Sequence, residues 1–110
     1  MASDRLQQLL SMLKNSPNDS FLNFAVAKEY EGSNDDKNAF KFYLQLVEND
    51  SNYVGTYYHL GKLYEKSEDF EKAFSTYKEG MKVAKSQNDQ HAFNELAGAK
   101  LNLGDDEDFE

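Results

Sequence analysis

The sequence repeats itself at a spacing of 34 residues. Laying residues 20–53 over 54–87 gives identities at Lys28/Lys62, Tyr30/Tyr64, Glu31/Glu65, Ser33/Ser67, Asp35/Asp69, Ala39/Ala73, Phe40/Phe74 and Tyr43/Tyr77. Ordinary residue frequencies give about two identities for unrelated segments of that length. A period this long marks a supersecondary unit that cannot bury its apolar face alone and relies on its neighbours.

The periodicity inside each copy is helical. Leu6, Leu9, Leu10 and Leu13 fall on one helix face and predict a first helix from about Asp4 to Lys14. Pro17 cannot continue it and disfavours helical angles at Ser16. Five further apolar stretches begin near Phe21, Ala39, Tyr57, Phe70 and Phe93. They break at Gly32-Ser33-Asn34, Asn49-Asp50-Ser51-Asn52, Ser67-Glu68 and Gly104. No β-branched alternation or Asn-Gly turn predicts a strand. Asp35 and Asp69 stand where a carboxylate caps a helix start, and Gly104 where a left-handed residue closes a helix. Two helices that cross closely need small residues at the crossing. Ala27 and Ala39 supply them in the first copy, Gly61 and Ala73 in the second. Gly80 reads as a mild weakness, costing its helix roughly 1 kcal/mol against Ala.

The period and its residues resemble the tetratricopeptide repeat. The likeness rests on Tyr57, Leu60-Gly61, Tyr64, Ala73 and Tyr77 in the second copy. It is weaker at Asn23, Val26-Ala27, Tyr30, Ala39 and Tyr43 in the first, where Asn23 replaces an aromatic and Ser51 a proline. Pro17-Asn18-Asp19 falls on the family's closing turn. The resemblance implies an all-α fold, an α-solenoid of stacked antiparallel helix pairs with about six helices. Its parts would be a half repeat over 4–19, full repeats over 20–53 and 54–87, and a capping helix over 90–103. These form a single domain, 1–104, followed by an acidic tail, 105–110.

The resemblance also implies a non-catalytic adaptor that binds a protein or peptide on the concave face of the array. Carried over by position, the inward residues are Phe21, Phe24, Ala25, Lys28 and Glu31, then Gly55, Tyr58, His59, Lys62 and Glu65, then His91, Asn94, Glu95 and Gly98. Of these, Phe24, Lys28, Tyr58, His59, Lys62, His91 and Asn94 are the candidate peptide contacts. Two recurring lysines over an aromatic floor suit an acidic or carboxylate-ended peptide. The competing reading pairs each lysine with the glutamate three residues on, Glu31 or Glu65, as an ordinary surface pair. The family's dicarboxylate clamp is not matched, since its slots read Phe24, Lys28, His59, His91 and Glu95, so chaperone-tail binding is not expected.

Composition narrows the remaining classes. A net charge of −8 argues against nucleic acid and anionic membranes as ligands. Cysteine is absent, which removes thiolate chemistry and disulfides. His59 and His91 are the only histidines and read as solvated side chains rather than a metal pair. No phosphate loop, His-Glu-x-x-His or nucleophile-elbow motif occurs, so neither an enzyme nor a cofactor is expected. Met1 to Leu13 is too polar for a signal peptide, and no apolar run is long enough to span a bilayer, so the expected compartment is cytoplasmic. The segment 105–110 holds five of the acids and reads as a disordered tail. The sharper alternative has Phe109, flanked by acids, dock into a lysine-containing groove of its own or another copy. A second functional reading is a self-associating structural subunit that stacks through its end helices into a homo-oligomer.

Overall fold

The computed structural model describes residues 3–109. Met1, Ala2 and Glu110, assigned above to the start of the domain and the end of the tail, lie outside the described residues. Among the described residues six helices make up the fold: α1 (Asp4–Asn15), α2 (Ser20–Gly32), α3 (Asp36–Asn49), α4 (Gly55–Lys66), α5 (Phe70–Ser86) and α6 (Gln90–Leu103). A short 3-10 turn covers Asp106–Phe109, and no strand occurs among the described residues. The chain divides into two compact units between Tyr53 and Val54, which is where one 34-residue copy gives way to the next. The first unit holds α1, α2 and α3; the second holds α4, α5, α6 and the 3-10 turn.

Helix starts follow the capping chemistry. The carboxylates of Asp19, Asp35, Asp69 and Asp89 accept from the backbone N–H groups of Leu22, Asn38, Lys72 and Ala92 at 3.0, 3.3, 3.2 and 3.0 Å. Each satisfies an amide the helix leaves unpaired, worth about 1 kcal/mol. Ser3 does the same for α1 through Leu6 N–H. Helix α4 follows Val54 and has no side-chain cap.

Three helix ends use one turn. Asn34, Glu68 and Asn88 take positive φ of 63°, 63° and 57°, and the next residue, an aspartate, donates its N–H to the carbonyl of Tyr30, Tyr64 or Ala84. This left-handed closure reverses the chain within three residues and delivers the aspartate to cap the next helix. The same turn therefore joins α2 to α3, α4 to α5 and α5 to α6.

In the first unit, Leu6 and Leu9 of α1 pack with Leu22, Ala25 and Val26 of α2. Ala25, assigned above to the inward face, is buried in that core, because α1 needs a small residue beneath it. Ala27, Ala39 and Tyr43 are fully buried where α2 meets α3. In the second unit Tyr77 takes the place of Tyr43 and is as deeply buried. A Cβ added at Gly61 would stand 2.7 Å from Cδ1 and Cζ of Tyr77 and closer still to Cε1. Glycine is required there by the close approach of the ring.

Three expectations change. Gly80 is not a weakness: a Cβ there would meet Tyr57 Cβ at 2.5 Å and Leu96 Cδ1 at 3.0 Å, so its absence lets α4 and α6 both close on α5. Gly104 has φ 144° and ψ −166°, an extended conformation open essentially to glycine alone, rather than the left-handed helical one. The segment after it is not a disordered tail. It turns back so that Phe109 stacks on Phe74, with centroids 4.3 Å apart and planes 14° from parallel. Asp105 N–H donates to Asp108 Oδ2 at 2.9 Å, which ties the turn internally.

Candidate peptide-binding faces

Each unit builds the same group of four side chains, related by the 34-residue spacing. On the first, Phe24 and Lys28 lie one turn apart on α2, and Lys28 Nζ sits 5.8 Å from the Phe24 ring centroid. Phe24 also leans on Tyr43 of α3, at 6.1 Å, and on Tyr53, at 5.5 Å. The Tyr43 hydroxyl donates to Glu31 Oε1 at 2.7 Å. On the second, Lys62 Nζ sits 5.5 Å from the Tyr58 ring, Tyr58 leans on Tyr77 at 6.5 Å, and Tyr77 donates to Glu65. Lys62 also reaches Glu65 at 3.6 Å.

The chemistry of the group follows from its layering. The tyrosine is core, and its hydroxyl needs a partner at the rim, which the glutamate supplies as a charged acceptor. Burial first, then the hydrogen bond and charge of Glu31, push the Tyr43 hydroxyl far above its ordinary value; Glu65 does the same for Tyr77. Glu31 and Glu65, assigned above to the inward face, are thus occupied with holding tyrosines. The half-buried Phe24 and Tyr58 pack against those tyrosines. The lysines lie over these rings with their ammonium groups toward water, a cation–π arrangement worth about 0.5–1 kcal/mol. Of the two readings of the lysines, the surface pair is seen for Lys62 with Glu65, and each lysine also lies over an aromatic ring.

The other candidates are less gathered. His59 is half-buried and meets the Tyr58 ring edge-on at 5.7 Å and 87°. His91 and Asn94 are exposed on α6, and Asn94 accepts from Gln90 Nε2 at 2.8 Å, one turn earlier on the same helix. The structure therefore gathers Phe24 with Lys28, and Tyr58 with His59 and Lys62. Sequence reasoning missed the tyrosine–glutamate bonds, although the paired identities at 31/65 and 43/77 were their signal. It also missed Tyr53, which has no aromatic counterpart at Gln87. Among the described residues no group of three or more His, Asp or Glu side chains could hold a metal ion, and no helix is long and apolar enough to cross a membrane.

Comparison with known proteins is consistent with this geometry. A family model described as tetratricopeptide repeat matches residues 54–87. The crystal structure of a tetratricopeptide repeat domain protein from Salinibacter ruber is 41% identical, with a TM-score of 0.75, covering 77% of this chain and 96% of that one. A solution NMR structure of a tetratricopeptide repeat domain protein from the same organism is 41% identical, with a TM-score of 0.77, covering 80% and 89%. No curated protein matches the chain.

Proposed function

Since the chain belongs to the tetratricopeptide repeat family, we propose that it is a non-catalytic adaptor that binds polypeptide through the faces of α2 and α4. The observation that carries this reading is the recurrence, 34 residues apart, of an aromatic ring with a lysine ammonium held over it, Phe24 with Lys28 and Tyr58 with Lys62. The cores beneath require the tyrosines and glutamates but not the lysines. An ammonium held over a ring offers a peptide a carboxylate partner beside an apolar contact. His59 extends the α4 face through its contact with Tyr58, and His91 and Asn94 offer exposed polar contacts on α6. An acidic peptide is the partner chemistry these faces favour.

Affinity capture from native lysate, with wild type and a Tyr58→Ala/Lys62→Glu variant side by side, tests it. Loss of the captured proteins by a variant that keeps its helical spectrum is expected. Retention by the variant rules out the α4 face as the site.

A second reading, self-association through the end helices, has its own observation: Met12 on α1 is 53% exposed and Leu101 on α6 72% exposed. Sedimentation over a concentration range decides it, and a strict monomer removes it.

A further inference from the structure

The second unit carries another charged surface, on other residues than the α2 and α4 faces. Lys78, Lys82 and Lys85 recur at steps of four and three along α5 and so share one face. Lys100 of α6 joins them, and Met81 and Phe93 form a half-buried floor between the lysines, in a shallow hollow of about 280 Å³. In a chain of net charge −8, this is a concentration of positive charge around apolar surface.

One end of the strip already holds an acidic polypeptide. Phe109 stacks on Phe74. Lys100 Nζ lies 4.7 Å from the Phe74 centroid and 3.2 Å from Asp106 Oδ1, and Lys78 Nζ lies 5.8 Å from the same ring. The contact thus reads one carboxylate and, three residues later, one aromatic ring. Asp106 also borders the open hollow beyond. The attachment is small: one ion pair, with Lys100 largely buried and Asp106 exposed, and one stacked ring, reached through a glycine whose backbone conformation other residues rarely adopt. Glu79 pairs with Lys82 at 3.8 Å on the surface and leaves Lys78, Lys85 and Lys100 to the strip.

We propose that the α5–α6 lysine strip is a second binding surface, for acidic polypeptide segments with an aromatic residue three positions after a carboxylate, and that segment 105–109 occupies it until such a segment displaces it. The surface would then be self-covered in the resting chain. A segment docked for nine-tenths of the time lowers the apparent affinity of a competitor about tenfold. The proposal concerns other residues than the α2 and α4 faces, so it stands or falls separately from the adaptor reading.

The test is fluorescence anisotropy of a labelled hexapeptide with the sequence of residues 105–110, titrated with the full chain. Wild type, Phe109→Ala and Gly104→Ala are compared; the first variant removes the stacked ring and the second strains the turn that returns the segment. Both are expected to bind the hexapeptide about tenfold more tightly than wild type. Adding Lys78→Glu and Lys100→Glu to either is expected to abolish that binding, and a hexapeptide with Ala in place of Phe to bind at least about fivefold more weakly. Equal binding by wild type and both variants, no binding by any, or indifference to the lysine reversals overturns the proposal. So does tighter binding of a thymidine oligonucleotide than of the hexapeptide, since the strip would then be a phosphate surface. Circular dichroism of each variant confirms that the helices persist.

Discussion

Where the first unit has Ala27, fully buried, the second has Gly61, set against the fully buried Tyr77; the first unit's counterpart of that tyrosine, Tyr43, is as deeply buried. At 27 a methyl group is native. At 61 it would collide with the Tyr77 ring. The same 34-residue pattern is thus packed to two different tolerances. The contrast recurs at position 46/80, where Leu46 is buried in the first unit and Gly80 admits both Tyr57 and Leu96 in the second. It recurs again at 23/57: Tyr57 is buried against Gly80, whereas Asn23 donates its amide to the carbonyls of Pro17 and Asp19 at 3.1 and 2.9 Å and fixes the turn between α1 and α2. The second unit gains stability by close approach of three helices around glycines. The first uses larger side chains on α3 and a polar tie at its entry. A repeat family's small-residue positions are therefore not one requirement but two, small and absent.

The largest expected effect breaks this contrast directly. Gly61→Ala should destabilise by about 3 kcal/mol, because the Tyr77 ring is buried and anchored through Glu65. The reverse change in the first unit, Ala27→Gly, should cost only about 1 kcal/mol, from lost helix propensity. Urea unfolding of both variants measures the difference, and equal costs would erase it.

Gly80→Ala comes next, at about 2 kcal/mol destabilising. The crowding Tyr57 atom is Cβ, fixed to the backbone, and the helix-propensity gain of roughly 1 kcal/mol offsets only part of the strain. A thermal melt higher than wild type would show that α4 can retreat from α5.

Smaller still is a pH effect shared by the two units. The hydroxyls of Tyr43 and Tyr77 have values raised above the ordinary 10.0. Above about pH 10 the unfolded chain releases these protons while the folded chain keeps them, so stability is complete below that pH and falls as pH rises. Each tyrosine contributes a slope of up to about 1.4 kcal/mol per pH unit. The Tyr43→Phe/Tyr77→Phe variant should lose about 1–2 kcal/mol at neutral pH and show a shallower alkaline decline. Denaturant midpoints between pH 8 and 11 would show whether the two slopes differ.

Much of the fold could be read from particular residues. The leucine spacing of α1, the caps at Asp35 and Asp69 and the small residues at 27, 39, 61 and 73 each encode local geometry. The site was less legible, because burial depends on neighbours that periodicity does not specify. Ala25 and His59 occupy the same repeat position, yet α1 covers the first, while the second keeps contact with Tyr58 and stays half-exposed. The return of segment 105–109 was hidden for a similar reason. Its four consecutive acids, Asp105 to Asp108, predict repulsion, and only the three-dimensional placement of Lys100 beside Phe74 supplies the attraction that overcomes it.

The adaptor reading is tested most directly by isothermal titration of a purified partner, recovered by capture, against wild type and a Lys28→Glu/Lys62→Glu variant of unchanged unfolding midpoint. Removing both ring-mounted ammonium groups should weaken binding at least about tenfold, roughly 1.4 kcal/mol or more. Undiminished affinity in the folded variant would contradict the assignment of binding to the faces of α2 and α4.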